Sequence, residues 1–214
     1  MSPERRLKPS AWLKVPLADY EGHMRAEQVA QLSVLSDLFA EVLEACQPES
    51  VAVLGIAGGN GLERLDPGVT RRILGVDINA QYLDAVRERF GNIFALELHC
   101  ADLAESAFLA DSVDLVHAAL VFEHAGVGQC LLNARNLVKP HGHMAVVLQL
   151  PSASSSGVGE TGFASMQLLA ADFQLVDPEW MTAELQATGF TRRFEVRRAV
   201  AGGKALWLGL FQRV

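Results

Sequence analysis

From Val51 to Asp66 the chain reads VAVLGIAGGNGLERLD, an apolar run that breaks into Gly55, Gly58, Gly59 and Gly61 before a segment carrying Glu63 and Asp66. The chemistry this arrangement suits is nucleotide binding. Glycine leaves the backbone N–H groups bare and tolerates positive φ, so a ligand can approach the main chain and the N-terminus of the acid-tipped helix expected to follow. A carboxylate at the next strand tip can accept both hydroxyls of a ribose. Asp77 ends the apolar run RILGVD, sixteen positions after Gly61 and near the roughly 20-residue offset of a ribose-binding acid. Asp102 follows the next apolar run, FALELHC. Asn79 suits the N-cap of the helix AQYLDAVRERF, which Gly91 ends, and this leaves Asp77 for a ligand. Because a glycine cluster alone also serves turn geometry, the two acids at successive run ends carry the inference.

Which nucleotide follows from the spacing. A dinucleotide loop needs G-x-G-x-x-G, and the best frame here places Arg64 where the third glycine belongs. The other frame, VLGIAGGNG from Val53 to Gly61, resembles the first motif of class I S-adenosylmethionine-dependent methyltransferases, V-L-D-x-G-x-G-x-G. Gly55 stands where that family carries an acid. Ala57 stands at the first glycine, where negative φ is expected of it. SVDLVHAALVFEHAG, with Asp114, Phe122, Glu123 and His124, is similar to the family's fourth-strand pattern, and Lys139-Pro140-His141-Gly142 resembles its L-K-P-G-G turn. The matches run in order over roughly residues 50 to 150. The resemblance implies S-adenosyl-L-methionine as cofactor, held by the turn residues Gly55, Ala57, Gly59, Asn60 and Gly61. It further implies a ribose contact from Asp77, an adenine corner at Asp102 and Leu103, and cofactor contacts from Ile78 and Ala119.

The acceptor side is less specified. The stretch ADYEGHMRAEQVAQLSVLSDLFAEVLEA reads as one N-terminal helix. In the family such helices cover the methyl-transfer site, which would bring Tyr20, Glu21, His23 and Met24 to the cofactor; equally, Leu32, Leu35, Leu38 and Phe39 have the spacing of a face docked on a sheet. Tyr20, His23 and His124 are the catalytic candidates, with Glu123 beside them, because a histidine titrates near working pH and can take a proton from a weak nucleophile. His124 could instead be structural, and His117, inside an apolar run, reads as a core residue. Gln149, Ser152 and Thr161 are expected on the acceptor side.

The remaining pattern places these residues on an α/β, Rossmann-like doubly wound sheet of seven strands, mostly parallel. The apolar blocks Val51 to Ile56, Ile73 to Ile78, Ile93 to His99, Val113 to Ala118 and Met144 to Leu150 read as buried parallel strands. An antiparallel hairpin, Phe190 to Val200 and Ala205 to Val214, closes the chain after the helix PEWMTAELQAT, which Asp177 caps and Pro178 starts. A single domain is expected over 1–214, with an N-terminal helical lid in 1–48, a cofactor core in 49–150, and an acceptor-side loop, helix and hairpin in 151–214.

With 214 residues, 50% of them hydrophobic, one core can be buried. A net charge of −7 argues against tracking nucleic-acid phosphates, and Arg192, Arg193, Arg197 and Arg198 read as a solvated sheet edge. Cys46, Cys100 and Cys130 lack disulfide or zinc spacing and are expected to be core thiols; no metal site is expected. MSPERRLKPS lacks a signal peptide's apolar centre and no run is long enough to span a bilayer, so a cytoplasmic protein without a membrane partner is expected. Substrate and oligomeric state stay open. A non-catalytic module that binds the same cofactor, or an interaction module on the same fold, is the alternative, and a nicotinamide-dependent oxidoreductase is a third reading.

Overall fold

A computed structural model describes residues 10–106, 108–152 and 158–214. Residues 153–157 of the acceptor-side loop and residues 1–9, expected to lack a leader's apolar centre, lie outside the described residues.

Seven strands form one sheet: β1 (Ser50–Leu54), β2 (Arg72–Asp77), β3 (Ala95–Cys100), β4 (Val113–Ala119), β5 (Val138–Gln149), β6 (Phe190–Ala199) and β7 (Ala205–Arg213), in the spatial order β3-β2-β1-β4-β5-β7-β6. The first five are parallel, while β7 runs antiparallel to both β5 and β6. The register pairs Leu54↔Val76, Leu54↔Ala118 and Asp77↔Cys100 bring the parallel strands' carboxyl ends to one edge. In such a sheet ligands bind outside that edge, where the strand order reverses.

Helices cover both faces, because strands buried on both sides need apolar cover on both. On one face α2 (Gln31–Cys46) and α3 (Ala80–Phe90) lay Leu38, Phe39, Val42, Leu83 and Val86 over Val51, Val53, Ile73 and Leu115. On the other, α5 (Gly128–Leu137) and α6 (Pro178–Ala187) pack Leu131, Ala134, Met181 and Leu185 against Ala52, Leu54, Val116 and Trp207. Caps fall where the sequence puts them: Asn79 accepts the Gln81 N–H at 3.1 Å and Asp177 the Glu179 N–H at 2.9 Å. The four arginines lie on β6, the outer strand, and are exposed.

Several expectations are corrected. The single N-terminal helix is two, α1 (Leu17–Arg25) and α2, broken at Ala30, which has φ 46°. Val29 and Gln31 are both buried, yet on one continuous helix they would point about 200° apart, so burial overrides helix propensity. The acid-tipped helix after the glycines is a 3-10 turn, Leu62–Arg64. Asp66-Pro67-Gly68 stops it: proline disfavours helix at the residue before it, and Asp66 accepts the Gly68 N–H at 2.8 Å. β3 is an exposed edge strand rather than a buried one. β5 begins at Val138, six residues before the expected Met144, and carries the Lys-Pro-His-Gly stretch as an irregularity, with a register shift against Val113 and Leu115. Gly142 is needed there, since a Cβ would sit 2.9 Å from the Asp114 carbonyl oxygen. Of the three thiols only Cys130 is buried; Cys46 is partly covered and Cys100 exposed.

Candidate functional site

At the carboxyl edge, β1 ends in a turn that no side chain could enter at Gly55. Its φ is 63°, and a Cβ would meet the Val121 methyl at 2.8 Å, which accounts for glycine where an acid was the pattern. Ala57 has φ 47°, not the negative value expected, and Leu120, just past β4, has φ 56°. Left-handed backbone in residues with a Cβ costs roughly 1–2 kcal/mol each, and such strain gathers at ligand sites.

The strained turn is held by Asp77. Its Oδ2 accepts the Ala57 N–H at 2.9 Å and its Oδ1 accepts the Asn79 N–H at 2.9 Å. Burial pushes its carboxyl up, while the N–H groups of Asn79, Ala57 and Ile78 pull it back down. A carboxylate has about four acceptor positions, so two backbone bonds leave capacity for ligand hydroxyls. One strand over, Asp102 accepts the Ala104 N–H at 2.8 Å.

Gly55, Ala57, Asp77, Ile78, Asp102, Leu103 and Ala119 all line one cavity of about 360 Å³, and so do Tyr20, Met24, His23, His124 and Gln149. Gly59, Asn60 and Gly61 do not line it. Gly59 lies against Phe90 and Gly61 against Phe39, each too close for a Cβ, and the Asn60 amide donates to the Leu32 carbonyl at 3.0 Å; their bare backbone admits the protein's own rings. Glu21 turns away to Arg89 and Arg25. Ser152 and Thr161 are not part of the wall.

Two aromatic rings and a histidine meet in the cavity wall. Trp12 meets His124 edge-on at 5.0 Å and Tyr20 at 5.7 Å. Its segment is anchored over β2: Asn79 donates to the Trp12 carbonyl at 3.0 Å and the Tyr82 hydroxyl to the Val15 carbonyl at 2.8 Å. The cover therefore consists of the Ala11–Lys14 3-10 turn and α1, tied to the 3-10 segment Ala164–Leu169 by the Ser165 hydroxyl donating to Asp19 at 2.6 Å.

The proton-handling candidates differ in character. His23 is buried, with Nδ1 2.9 Å from the Thr161 hydroxyl; burial, then the Lys204 charge, lowers it, so it is neutral at working pH. Burial lowers His124 to about 4, with Asp172 opposing, and its Nδ1 is buried without a hydrogen-bond partner among the described residues. Burial raises the Tyr20 phenol, with Asp77 and Glu21 adding to it, so it stays protonated. Glu123 lies behind the wall, one oxygen accepting the Gln149 N–H at 2.8 Å. His117, a core residue as expected, stacks on Phe39 at 4.2 Å.

Four cavity residues, Trp12, Gln31, Tyr82 and Lys204, were not singled out in the sequence. Only Lys204 carried a signal: a lone lysine between Gly203 and an apolar strand. Among the described residues no group of three or more His, Cys, Asp or Glu is placed to hold a metal ion, and no helix is long and apolar enough to cross a membrane.

Comparison with known proteins agrees with this geometry. Residues 52–146 match the family model described as methyltransferase domain. The chain is 28% identical over 109 residues to an uncharacterized 37.1 kDa protein in transposon TN4556 of Streptomyces fradiae, covering 50% of this chain and 32% of that one; the match thus spans about a third of that curated relative. Among solved structures, the N-methyltransferase NodS from Bradyrhizobium japonicum WM9, in complex with S-adenosyl-L-homocysteine, superposes with TM-score 0.66 at 13% identity, over 91% of this chain and 98% of its own. The [4+2]-cyclase SpnF gives TM-score 0.66 at 13% identity, over 88% of this chain and 83% of its own. At such identities the likeness is one of fold.

Proposed function

We propose that this chain, which carries a methyltransferase domain over residues 52–146 on the fold of S-adenosylmethionine-dependent methyltransferases, transfers a methyl group from S-adenosylmethionine to a small-molecule acceptor. One observation carries the reading: carboxylates at two successive strand tips, Asp77 and Asp102, open into the same covered cavity as the Gly55–Ala57 turn. The residues present fit the group. Asp77, fixed by two backbone N–H donors, has acceptor capacity for a pair of ribose hydroxyls. Asp102 can accept from an exocyclic amine, with the Leu103 backbone beside it for a ring nitrogen.

When bound, S-adenosylmethionine supplies a methyl group already activated by its sulfonium. The protein's own work is then to position the acceptor and exclude water. Trp12, Tyr20 and His124 form the wall that does the excluding. His23, neutral and held by Thr161, can accept a proton from an acceptor hydroxyl or amine. Tyr20, raised and protonated, serves as a hydrogen-bond donor and not as a base. The three free cysteines support a reducing, cytoplasmic setting.

Calorimetry with S-adenosylhomocysteine tests the cofactor half. One-to-one binding is expected, and Asp77→Ala should weaken it about tenfold or more, the equivalent of one charge-assisted hydrogen bond. Unchanged affinity in a folded Asp77→Ala protein would remove that residue from the pocket. Release of S-adenosylhomocysteine across a panel of small-molecule acceptors tests the transfer.

A further inference from the structure

Asn79 puts each of its polar groups on a different part of the site. Its backbone N–H donates to Asp77 Oδ1 at 2.9 Å, its side-chain oxygen accepts the Gln81 N–H at 3.1 Å, and its side-chain amide donates to the Trp12 carbonyl at 3.0 Å. The residue is buried, and its type is specified by the set. Serine or aspartate would cap α3 as well, but serine carries no amide donor and aspartate would turn an acceptor toward the Trp12 carbonyl oxygen. The segment that Asn79 reaches is held little by packing. None of Ala11–Lys14 is buried, and Leu13 is half exposed; a single 3-10 turn has poor hydrogen-bond geometry of its own. Its buried end is Val15, set against Met166 and Leu169. Two hydrogen bonds from the start of α3 fix the rest: the Asn79 amide to the Trp12 carbonyl, and the Tyr82 hydroxyl to the Val15 carbonyl at 2.8 Å. Ser10, Ala11 and Trp12 thereby line the same cavity as Asp77, Ile78 and Tyr82. Segments with few buried apolar contacts are the ones that open first.

We infer that Asn79 is a positioning residue whose amide latches this turn over the bound cofactor, so that S-adenosylhomocysteine enters and leaves when the Asn79 and Tyr82 bonds to the turn are broken. This rests on the cavity being the cofactor site. Both bonds run between protein groups, so they favour the closed form alike with the cavity empty or filled. Weakening either one raises the open fraction of both forms by the same factor, which speeds entry and exit together and leaves the equilibrium constant where it was. A residue that merely held Asp77 in place would behave otherwise, its loss speeding exit alone.

The experiment measures association and dissociation rates of S-adenosylhomocysteine by surface plasmon resonance on the full-length protein and on two variants. Asn79→Ser keeps the backbone N–H to Asp77 and a cap for α3 but removes the amide. Tyr82→Phe removes only the hydroxyl and leaves the partners of Asp77 in place. Each variant should raise both rates about three- to tenfold, the equivalent of one neutral hydrogen bond, with Kd unchanged. Unchanged rates in either variant overturn the inference. So does a change confined to one of the two rates, which in Asn79→Ser would reduce the residue to a support for Asp77. Should Asn79→Ser not fold, the Tyr82→Phe rates decide by the same criteria. Failure of the wild type to bind S-adenosylhomocysteine at all would instead sink the cofactor reading beneath it.

Discussion

Replacing Glu123 by glutamine should stabilise the protein at alkaline pH and leave it unchanged in acid. Glu123 is 1% exposed; one carboxyl oxygen accepts the Gln149 N–H, and the other is buried without a hydrogen-bond partner among the described residues. Burial pushes the carboxyl up to about 7 from an ordinary 4.5, against the pull of the Gln149 and Glu123 backbone N–H groups. The folded state thus holds this proton more tightly than the unfolded chain does. Stability from the group is complete below about 4.5, declines as pH rises, and is lost above about 7, where an ionised carboxylate stays buried. At about 1.36 kcal/mol per pKa unit the interval is worth about 3 kcal/mol. Glutamine keeps the acceptor for the Gln149 N–H and never ionises, so its advantage should be near zero at about pH 4 and about 3 kcal/mol at about pH 8. For a chain of this size that is roughly 6–12 °C in melting temperature. Thermal melts of both proteins in matched buffers across this range read the difference, in which groups common to both cancel. Parallel curves, or a glutamine variant that melts below the wild type at pH 8, would refute the argument.

Three further outcomes are expected. Burial lowers His117 to about 4, so the unfolded chain takes up the proton first, and stability present above about 6.5 is lost as pH falls toward 4; His117→Phe, which keeps the stack on Phe39, should flatten that acid limb in urea titrations. Gly55→Ala should cost about 2 kcal/mol, from positive φ and the Val121 contact, and a double-mutant cycle with Val121→Ala should show a coupling that relieves part of it; purely additive urea midpoints would exclude the contact. Trp12→Phe should abolish the change in tryptophan emission that S-adenosylhomocysteine causes in the wild type, and an undiminished change would place Trp12 away from the ligand.

The sheet was legible in the sequence because β1, β2, β4 and β5 are buried on both faces and therefore read as unbroken apolar runs. β3 misled for the converse reason: its residues are apolar enough to pass as core, but it pairs on one side only, and nothing local reports that. Asp77 and Asp102 were legible as cavity residues because each follows a parallel strand whose carboxyl end opens on the cavity. Gly59 and Gly61 look the same in sequence as Gly55, yet Phe90 and Phe39 occupy the space their missing Cβ atoms leave, and these rings lie 31 and 22 residues away. Trp12 and Lys204 reach the cavity from segments distant in the chain, so no spacing rule could join them to the glycine turn. The break at Ala30 was likewise hidden, since it answers to what Val29 and Gln31 meet in three dimensions.

The short 3-10 turn after the glycines has an architectural cost elsewhere. Between β1 and β2 the chain offers Ile56, Leu62 and Leu65 to this layer, and α2, drawn from ahead of β1, covers more of it, with Ser36 donating to Glu63 at 2.6 Å and Arg64 to Asp37 at 2.6 Å. The stretch that matches the family model, residues 52–146, therefore does not carry all the apolar cover its own strands receive in the full chain. Excised on its own, it would leave Val53, Ile73 and Leu115 facing water and β5 without its β7 neighbour, inviting aggregation. The matched stretch thus ends inside the packing that buries it, the remainder coming from the upstream helix α2 and the closing strand β7.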